Sequence, residues 1–296
     1  MKIVIAGASG FIGRHLVRHF ADAEVVTIDR QPNGHSLTWD GPWQRELEGA
    51  TAVINLSGSP IAVRFDAKNR QEILSSRIEA TARIGQVLAE LKNPPKVWIN
   101  GSAVGYYGDA GDRELTESSP LGSGFLAEVC DKWEAAARGA CPQGIRLVLM
   151  RTGIVLGSDG GALVPLRKLA KLGLAGTVGN GRQWVSWIHI EDLCRLFRWC
   201  IEHPEIEGPV NGTSPKPARN EIFMKRLRDN FVITWTPAAP AFVIRVVGKI
   251  SGPDAETLLF SQKALPEKAQ GGGFRWEFEA VSLALQNALG VGDFEG

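Results

Sequence analysis

The chain has 296 residues, of which 44% are hydrophobic and 22% are charged, and its 33 basic and 32 acidic residues give a net charge of +1. This length and composition are typical of one large α/β domain with an appendage, or of two modest domains. Because the charges are balanced and interspersed, we expect no nucleic-acid partner, and because no apolar run approaches the ~20 residues of a membrane helix, we expect no membrane partner.

A glycine motif opens the chain, between an apolar strand at residues 2–6 and a helical stretch at 14–20. A phosphate can approach the backbone closely where a helix begins, because free N–H groups and the positive end of the helix dipole lie there. Gly7 allows a tight turn, Gly10 lets the backbone approach a pyrophosphate, and Gly13 lets the helix pack on the strand. The motif predicts a dinucleotide site formed by Gly7, Ala8, Ser9, Gly10, Phe11, Ile12 and Gly13.

Strand and helix signals then alternate along the first half of the chain. Short β-branched or apolar runs predict strands at residues 24–28, 52–56, 96–100 and 145–150. Apolar residues with a 3.6-residue period predict helices at residues 71–91 and 125–137. This alternation predicts an α/β fold with a Rossmann-type doubly wound parallel sheet, in which ligands bind at the carboxyl ends of the strands.

The second half of the chain is richer in loops. Glycine-rich segments at 157–161 and 173–181 flank a basic helix around 162–172. We therefore predict a smaller mixed region beside the Rossmann sheet. The predicted parts are a dinucleotide-binding domain at 1–160, to which later segments return, a substrate-side region at 161–236, and a small C-terminal cap domain at 237–296 with helices near 241–250 and 255–265.

Two adjacent residues at the end of the second strand give opposite indications about the cofactor. The Asp29 carboxylate would accept hydrogen bonds from ribose hydroxyls and repel a 2′-phosphate, which favours NAD, whereas Arg30 could hold that phosphate. Arg14 adds positive charge on the same side. We expect NADP, with NAD as the alternative, because two guanidiniums can outweigh one carboxylate. A surface ion pair between Asp29 and Arg30 is a further possibility.

The third and fourth predicted strands also end in small or polar residues. Asn55, Leu56, Ser57 and Gly58 form a flexible turn that would let the main chain lie against the cofactor. The fourth strand runs into residues 100–108, Asn-Gly-Ser-Ala-Val-Gly-Tyr-Tyr-Gly, which contain the two tyrosines of the chain.

With these residues and the motifs at 151–157 and 187–192, the chain resembles an extended short-chain dehydrogenase/reductase, the group of nucleotide-sugar epimerases and dehydratases. The resemblance implies a Tyr-x-x-x-Lys pair, in which lysine lowers the pKa of a tyrosine that exchanges a proton while nicotinamide exchanges hydride. That pair is missing from the sequence, because Leu126 and Cys130 stand at the corresponding positions.

The catalytic candidates that remain are Tyr107, Tyr106 and Ser102. Ser102 is also expected at the cofactor, although Ala103 occupies the position where related proteins have a serine or threonine. A strand side chain displaced by one residue faces the other way unless a bulge intervenes.

Residues 75–81, 102–108, 125–134, 181–184 and 187–189 resemble one atypical branch of this group, the epimerase family proteins, and residues 258–266 and 273–276 resemble its C-terminal domain of unknown function. The resemblance implies NADP and places Glu72 and Arg77 at the cofactor. From the helical pattern alone, these two residues would be a solvated helix face. Asp29 departs from the branch, which usually has a small hydroxyl residue at that position.

Two functions follow from these features and stay open. The chain is either an NAD(P)-dependent oxidoreductase or epimerase with a relocated acid/base group and a small-molecule substrate, or a catalytically silent dinucleotide-binding sensor or interaction module. His189 follows an apolar pair, so it is either structural or a substrate contact. The sequence specifies neither the substrate nor the oligomeric state.

The cysteines and the first residues of the chain give indications about the cellular compartment. The four cysteines form no Cys-x-x-Cys pair and lie in mostly apolar surroundings, which indicates reduced core thiols and no metal site. Met1 leads into the first strand with no signal-like segment, so we expect a cytoplasmic protein, or one in the equivalent compartment of an organelle.

Overall fold

A computed structural model describes residues 1–31, 34, 36–231, 233, 236–250 and 254–290. Its strands are β1 (Lys2–Ala6), β2 (Glu24–Asp29), β3 (Leu37–Thr38), β4 (Ala52–Asn55), β5 (Val97–Ala103), β6 (Glu114–Leu115), β7 (Arg146–Thr152), β8 (Ile154–Leu156), β9 (Trp184–Val185), β10 (Trp187–His189), β11 (Gly208–Gly212), β12 (Ala218–Arg219) and β13 (Lys263–Ala264). Seven of them form a parallel central sheet in the order β11-β7-β5-β4-β1-β2-β3.

The remaining strands form three small pairs, β8 with β10, β9 with β12, and β6 with β13. The helices are α1 (Phe11–His19), α2 (Ala67–Glu90), α3 (Phe125–Ala140), α4 (Leu163–Lys171), α5 (Ile190–Glu202), α6 (Asn220–Asp229), α7 (Ala241–Ile250), α8 (Glu256–Leu259), α9 (Glu267–Gly271) and α10 (Val281–Leu289). Short 3-10 helices span Trp43–Leu47 and Val104–Tyr107.

Helices cover both faces of the central sheet, as the alternating signals predict. Alternate residues of β1 lie in different core clusters, because successive side chains of a strand point to opposite faces. Ile3 and Ile5 pack in a cluster that contains residues of α1 and α5, and Val4 packs in a cluster that contains residues of α2 and α3. The fold is therefore the doubly wound α/β architecture, with its crossovers on both sides of a buried parallel sheet.

Two helices begin earlier than the apolar periodicity predicts, at positions that local capping residues determine. The first helix begins at Phe11 rather than at residue 14, directly after its N-cap Gly10. The long helix begins at Ala67 rather than at residue 71, because the Asp66 side chain caps it by accepting a hydrogen bond of 2.9 Å from the Asn69 backbone N–H.

One predicted helix is wrong in its second half. The expected helix at 255–265 ends at Leu259, and Lys263 and Ala264 form a strand that pairs in parallel with Glu114 and Leu115. The apolar residues of this segment suit either structure, and the pairing partner lies about 150 residues away in the sequence, beyond the reach of a local pattern.

The C-terminal segment packs against the Rossmann part. The buried Asp192 carboxylate on α5 accepts hydrogen bonds from the backbone N–H groups of Glu277 (2.8 Å) and Phe278 (2.9 Å). Trp276 donates its indole N–H to the carbonyl of Thr213 at 3.0 Å. Among the described residues, no helix has the length and apolar character that crossing a bilayer requires.

Candidate functional site

The glycine turn between β1 and α1 leaves no room for side chains at two of its three glycines. Gly7 has a φ of +82°, and a Cβ there would lie 2.9 Å from the carbonyl carbon of Leu56. A Cβ on Gly13 would lie 2.5 Å from the Gly7 carbonyl oxygen. At Gly10 only the Gly7 oxygen, at 3.2 Å, is near the Cβ position, and no side chain caps α1 in the described structure. The N-terminus of α1 therefore presents backbone to a ligand.

Asp29 lies beside this turn, and only one of its two carboxylate oxygens is hydrogen-bonded within the described part of the chain. Its side chain is 3% exposed, and Oδ1 accepts hydrogen bonds from the Ser9 backbone N–H at 2.8 Å and from the Ser9 hydroxyl at 2.7 Å. Oδ2 is buried and has no hydrogen-bond partner among the described residues. Asp29 thus pairs with Ser9 rather than with Arg30, whose side chain is exposed.

The turn after β4 supplies a second unpartnered oxygen. Asn55 donates to the side chains of Thr81 (3.1 Å) and Asn100 (2.8 Å), and its own side-chain oxygen accepts from the Ser57 backbone N–H at 3.1 Å. These bonds fix the direction of the chain after the strand. The Ser57 hydroxyl is buried without a hydrogen-bond partner in the part of the chain that the structure describes.

Glu72 and Arg77 hold this turn from the long helix. Glu72 accepts a hydrogen bond of 2.7 Å from the Ser59 hydroxyl, and Arg77 donates to the Ser59 carbonyl at 3.0 Å. The Arg77 guanidinium also lies against Gly58 and over the ring of Trp133, with its carbon 5.1 Å from the ring centroid. Burial lowers the pKa of Arg77 from its usual value. Arg77 therefore packs against the turn rather than lying on a solvated helix face, whereas Glu72 stays exposed while it bonds to Ser59.

These groups together fit a dinucleotide. Buried polar atoms are nearly always hydrogen-bonded, so the two oxygens without a partner among the described residues, at the ends of the strands that flank β1, suit a polar ligand that hydrogen-bonds to both. Ribose hydroxyls are such donors for Asp29, and the glycine turn offers backbone N–H groups to a pyrophosphate. The backbone of Gly7 contacts the backbone of Leu56. The turn after β1 and the turn after β4 therefore lie side by side at one edge of the sheet.

A loop that the sequence did not assign to the site folds over the start of α1. Positions Gly157, Gly160 and Gly161 all lie against the Phe11 ring. From the same loop, Asp159 accepts a hydrogen bond of 2.8 Å from His15 and lies 3.7 Å from the Arg14 guanidinium. The hydrogen bond with His15 lowers the pKa of Asp159. Arg14 is held at the rim of the turn by a hydrogen bond of 2.8 Å to the Ser9 carbonyl, and Asp159 lies close to it on the other side.

A buried ion pair lies next to two of the catalytic candidates. Arg151 on β7 is 2% exposed and pairs with Glu134 on α3 through two hydrogen bonds, of 2.7 and 2.9 Å. The Ser102 hydroxyl donates to Glu134 at 2.7 Å. The Tyr107 hydroxyl donates to Asn211 at 2.7 Å and accepts from Arg151 at 3.1 Å. Both candidate hydroxyls thus have protein partners.

Burial and hydrogen bonding determine the protonation states of the side chains in this cluster. Burial raises the pKa of Tyr107 to about 12 and the pKa of Cys130 to about 11, so both stay protonated near neutral pH. Burial disfavours the ionised form of Glu134, but the hydrogen bonds and charge of Arg151 outweigh this effect and lower the pKa of Glu134. The pair is therefore ionised and immobilised inside the protein.

The sequence indicated this cluster only indirectly. Glu134 lies among buried residues of α3, and Arg151 follows the apolar run of β7, so each is a charged residue within a mostly buried apolar pattern. A charge at such a place is normally paired. Nothing in the spacing of the two residues along the sequence indicates that Glu134 and Arg151 pair with each other.

Tyr106 and His189 complete the predicted set. Tyr106 is half-buried, and its ring lies on the Arg151 guanidinium, whose carbon is 3.5 Å from the ring centroid. His189 is 2% exposed, accepts a hydrogen bond of 3.3 Å from the Glu191 backbone N–H, and packs on Phe278 with ring centroids 3.9 Å apart. Burial lowers the pKa of His189 to about 4. These contacts give His189 a structural role as the N-cap of α5.

Comparison with known sequences agrees with this geometry. The sequence profile of the NAD dependent epimerase/dehydratase family matches residues 3–211. The chain belongs to this family. A second profile, that of a domain of unknown function named DUF1731, matches residues 239–288. Within the family the chain is an atypical extended short-chain dehydrogenase/reductase, because its sequence has no Tyr-x-x-x-Lys pair.

Similar family members cover nearly the whole chain. The epimerase family protein SDR39U1 homolog of Arabidopsis thaliana, a chloroplastic protein, is 33% identical over an alignment of 303 positions that covers 97% of this chain and 86% of the relative. Epimerase family protein YfhF of Bacillus subtilis is 34% identical and covers 98% of each sequence. The crystal structure of human epimerase family protein SDR39U1 (isoform 2) with NADPH superposes with a TM-score of 0.91 at 31% identity, covering 98% of this chain and 99% of that one.

Proposed function

We propose that the chain binds NADP(H), with NAD(H) as the alternative, at the glycine turn and the adjoining ends of β2 and β4. The observation that carries this proposal is the pair of buried, unpartnered oxygens on Asp29 and Ser57 beside a turn that excludes side chains. The human relative crystallised with NADPH supports NADP(H). The Asp29 carboxylate supports NAD(H), because it would repel a 2′-phosphate.

The same proposal assigns roles to residues around the turn. Residues 7–13 hold the pyrophosphate, Asp29 and Arg30 select the adenosine ribose, and residues 55–58 line the cofactor. Glu72 and Arg77 act as positioning residues, since their contacts are with Ser59 and Gly58.

For the chemistry, we propose an oxidoreductase or epimerase that acts on a small molecule without the usual tyrosine and lysine. A bound nicotinamide supplies a hydride acceptor or donor. Tyr106 is the acid/base candidate we favour, because the Tyr107 hydroxyl is bonded to Asn211 and Arg151 and the Ser102 hydroxyl is bonded to Glu134. No hydrogen bond to the Tyr106 hydroxyl is found among the described residues.

A second candidate function is a catalytically silent dinucleotide-binding sensor or interaction module. The observation that favours it is the same cluster, in which the hydroxyls of Ser102 and Tyr107 stabilise a buried ion pair. In this reading the cofactor stabilises the fold and reports the redox state of the cell.

The first experiment is a titration of the cofactor-stripped protein with NADPH, NADH and their oxidised forms, followed by nicotinamide fluorescence and thermal unfolding. We expect saturable binding and a raised melting temperature with at least one of them. A flat response to all four would overturn the cofactor proposal.

The second experiment separates the two functions. The protein is incubated with reduced cofactor deuterated at the transferred position and with a panel of carbonyl compounds, and deuterium in the products is measured by mass spectrometry. Transfer that is lost in Tyr106→Phe but kept in Tyr107→Phe supports the enzyme with Tyr106 as acid/base. Tight cofactor binding with no transfer to any compound supports the silent module.

We also propose a cytoplasmic location, or the equivalent compartment of an organelle. All four cysteines are free thiols, which suits a reducing compartment, and the Arabidopsis relative is chloroplastic. The balanced charge supports the absence of a nucleic-acid partner.

A further inference from the structure

A cavity of about 380 Å³ lies beside β11, the end strand of the central sheet. Pro209 of β11 lines it together with Glu117 and Ser118 from the loop between β6 and α3, and with Glu267 and Lys268 at the start of α9. The cavity shares no residue with the glycine turn or with the catalytic candidates. Its volume is within the range of pockets that bind small molecules.

The amino group of Lys268 is anchored at this cavity without a carboxylate partner. The side chain is half-buried, and Nζ donates a hydrogen bond to the backbone carbonyl of Glu207. Among the described residues, no carboxylate lies within ion-pair distance of Lys268, whereas four other lysines form ion pairs. Burial without a paired opposite charge disfavours the ammonium form of a lysine.

The two carboxylates that line the cavity are engaged elsewhere or exposed. Glu117 is 8% exposed, and its two oxygens accept hydrogen bonds from the backbone N–H groups of Asn211 (3.0 Å) and Lys268 (3.4 Å). The Glu267 side chain is exposed to solvent. Neither carboxylate forms an ion pair with the Lys268 amine.

These surroundings change the protonation of the amine. Burial lowers the pKa of Lys268 from its usual value, and the positive charge of Arg151 acts in the same direction. Three nearby groups oppose this effect, Glu117, Glu207 and Cys200. Burial is the largest effect, so Lys268 has a larger neutral fraction near neutral pH than an exposed lysine has. A desolvated lysine amine of this kind is a nucleophile.

The contact with Glu207 is compatible with the neutral amine. A carbonyl oxygen accepts hydrogen bonds from neutral amines and from ammonium groups alike, so it does not hold the proton as a carboxylate would. After acylation the amide nitrogen keeps one hydrogen for the Glu207 carbonyl, whereas a neutral imine nitrogen would keep none. The anchor therefore favours acylation of Lys268 over condensation with an aldehyde.

We propose that Lys268 is an acylation site for small thioesters and that the cavity receives the acyl group. The amine lone pair attacks the thioester carbonyl carbon, the carbon–sulfur bond breaks, and the leaving thiolate takes up the proton that the nitrogen loses. The products are an uncharged amide and a free thiol. Acylation thus removes a positive charge next to Gly208, at the start of β11. The site is independent of the cofactor proposal, because the two share no residue.

The test treats the full chain at neutral pH with the acetyl thioester of N-acetylcysteamine and follows the acetylation of each lysine by mass spectrometry of peptides. Lys68 and Lys225 are the matched controls, because both are exposed and neither forms an ion pair in the described structure. We expect Lys268 to react at least about threefold faster than either control, since its amine is desolvated. In concentrated urea the cavity is lost, and the three lysines should react at similar rates.

A variant tests the role of the cavity. Ser118 is exposed and lines the cavity, so Ser118→Phe should keep the wild-type melting temperature while its ring obstructs the acyl group. We expect slower acetylation of Lys268 and an unchanged rate at Lys225.

Four outcomes would overturn the proposal. The first is acetylation of Lys268 no faster than that of the controls in the folded protein. The second is a preference that persists in urea, which would come from neighbouring sequence alone. The third is an unchanged rate at Lys268 in Ser118→Phe. The fourth is trapping of Lys268 by acetaldehyde and cyanoborohydride without acetylation by the thioester, which would indicate an imine-forming site.

Discussion

Asp29 accepts both hydrogen bonds that Ser9 offers, at 2.8 Å from the backbone nitrogen and 2.7 Å from the hydroxyl, and keeps its second oxygen unbonded within the described structure. A carboxylate fixed in this way cannot rotate away from a ligand without breaking both bonds. In the proposed complex, this carboxylate faces the adenosine ribose of the dinucleotide.

We predict that Asp29→Ser shifts cofactor preference toward NADPH. Removing the carboxylate takes away repulsion of a 2′-phosphate and an acceptor for a 2′-hydroxyl, so the ratio of the NADH and NADPH dissociation constants should change at least tenfold, or about 1.4 kcal/mol. Fluorescence titration with both cofactors measures the ratio. Arg30→Gln should move it in the opposite direction, and an unchanged ratio in Asp29→Ser would remove Asp29 from the site.

The glycine turn gives a prediction with an internal control. Gly13→Ala should destabilise the protein and abolish cofactor binding, because the new Cβ would lie 2.5 Å from the Gly7 carbonyl oxygen. Gly139→Ala adds the same methyl group near the end of α3, where no other part of the protein lies within 4 Å of the new Cβ, and it should change the free energy of unfolding by less than about 1 kcal/mol. Urea unfolding and cofactor titration of both variants test the pair. Normal binding by Gly13→Ala would contradict the tight packing of the turn.

The buried ion pair predicts a large loss of stability. Glu134→Gln leaves the Arg151 charge without its carboxylate partner inside the protein, which should lower the free energy of unfolding by about 3–5 kcal/mol. Glu128→Gln, on the same helix, breaks an exposed pair with Lys132 and should cost no more than about 1 kcal/mol. Denaturant unfolding compares the two. Similar small effects would mean that Arg151 finds another partner.

The buried imidazole predicts an acid-sensitive fold. The pKa of His189 is lowered to about 4, so its contribution to stability is present above the unfolded value of 6.5 and is lost as the pH falls toward 4. Unfolding measured between pH 7 and pH 4 should show this loss. His189→Asn preserves a side-chain acceptor for the Glu191 N–H but does not titrate, so its profile should be flatter over this range.

The features predicted from sequence were those encoded by neighbouring residues. The strand before Gly7, the helix after Gly13 and the alternation of strands and helices are local patterns, and they predicted the doubly wound sheet correctly. The sequence proposed Ser102 both as a catalytic candidate and as a cofactor contact, and the structure gives its hydroxyl a hydrogen bond to Glu134 on α3.

The features that escaped prediction join residues far apart in the sequence. Tyr107 meets Asn211 across 104 positions, and Arg14 meets Asp159 across 145. No periodicity links such residues, so their pairing depends on how the strands are ordered in the sheet. The strand at Lys263–Ala264 was missed for the same reason, because its pairing with β6 outweighs the helical pattern of the segment.

The position of β11 limits how this chain can be dissected. Residues 208–212 hydrogen-bond to β7 and form the outer strand of the sheet, although they come well after residue 160. A fragment that stopped near residue 160 would expose the N–H and C=O groups of β7 along a bare sheet edge, which promotes association with other chains. Such a truncation should aggregate rather than fold as an autonomous nucleotide-binding unit, so cloning boundaries should follow the whole sheet and include the tail that binds Asp192.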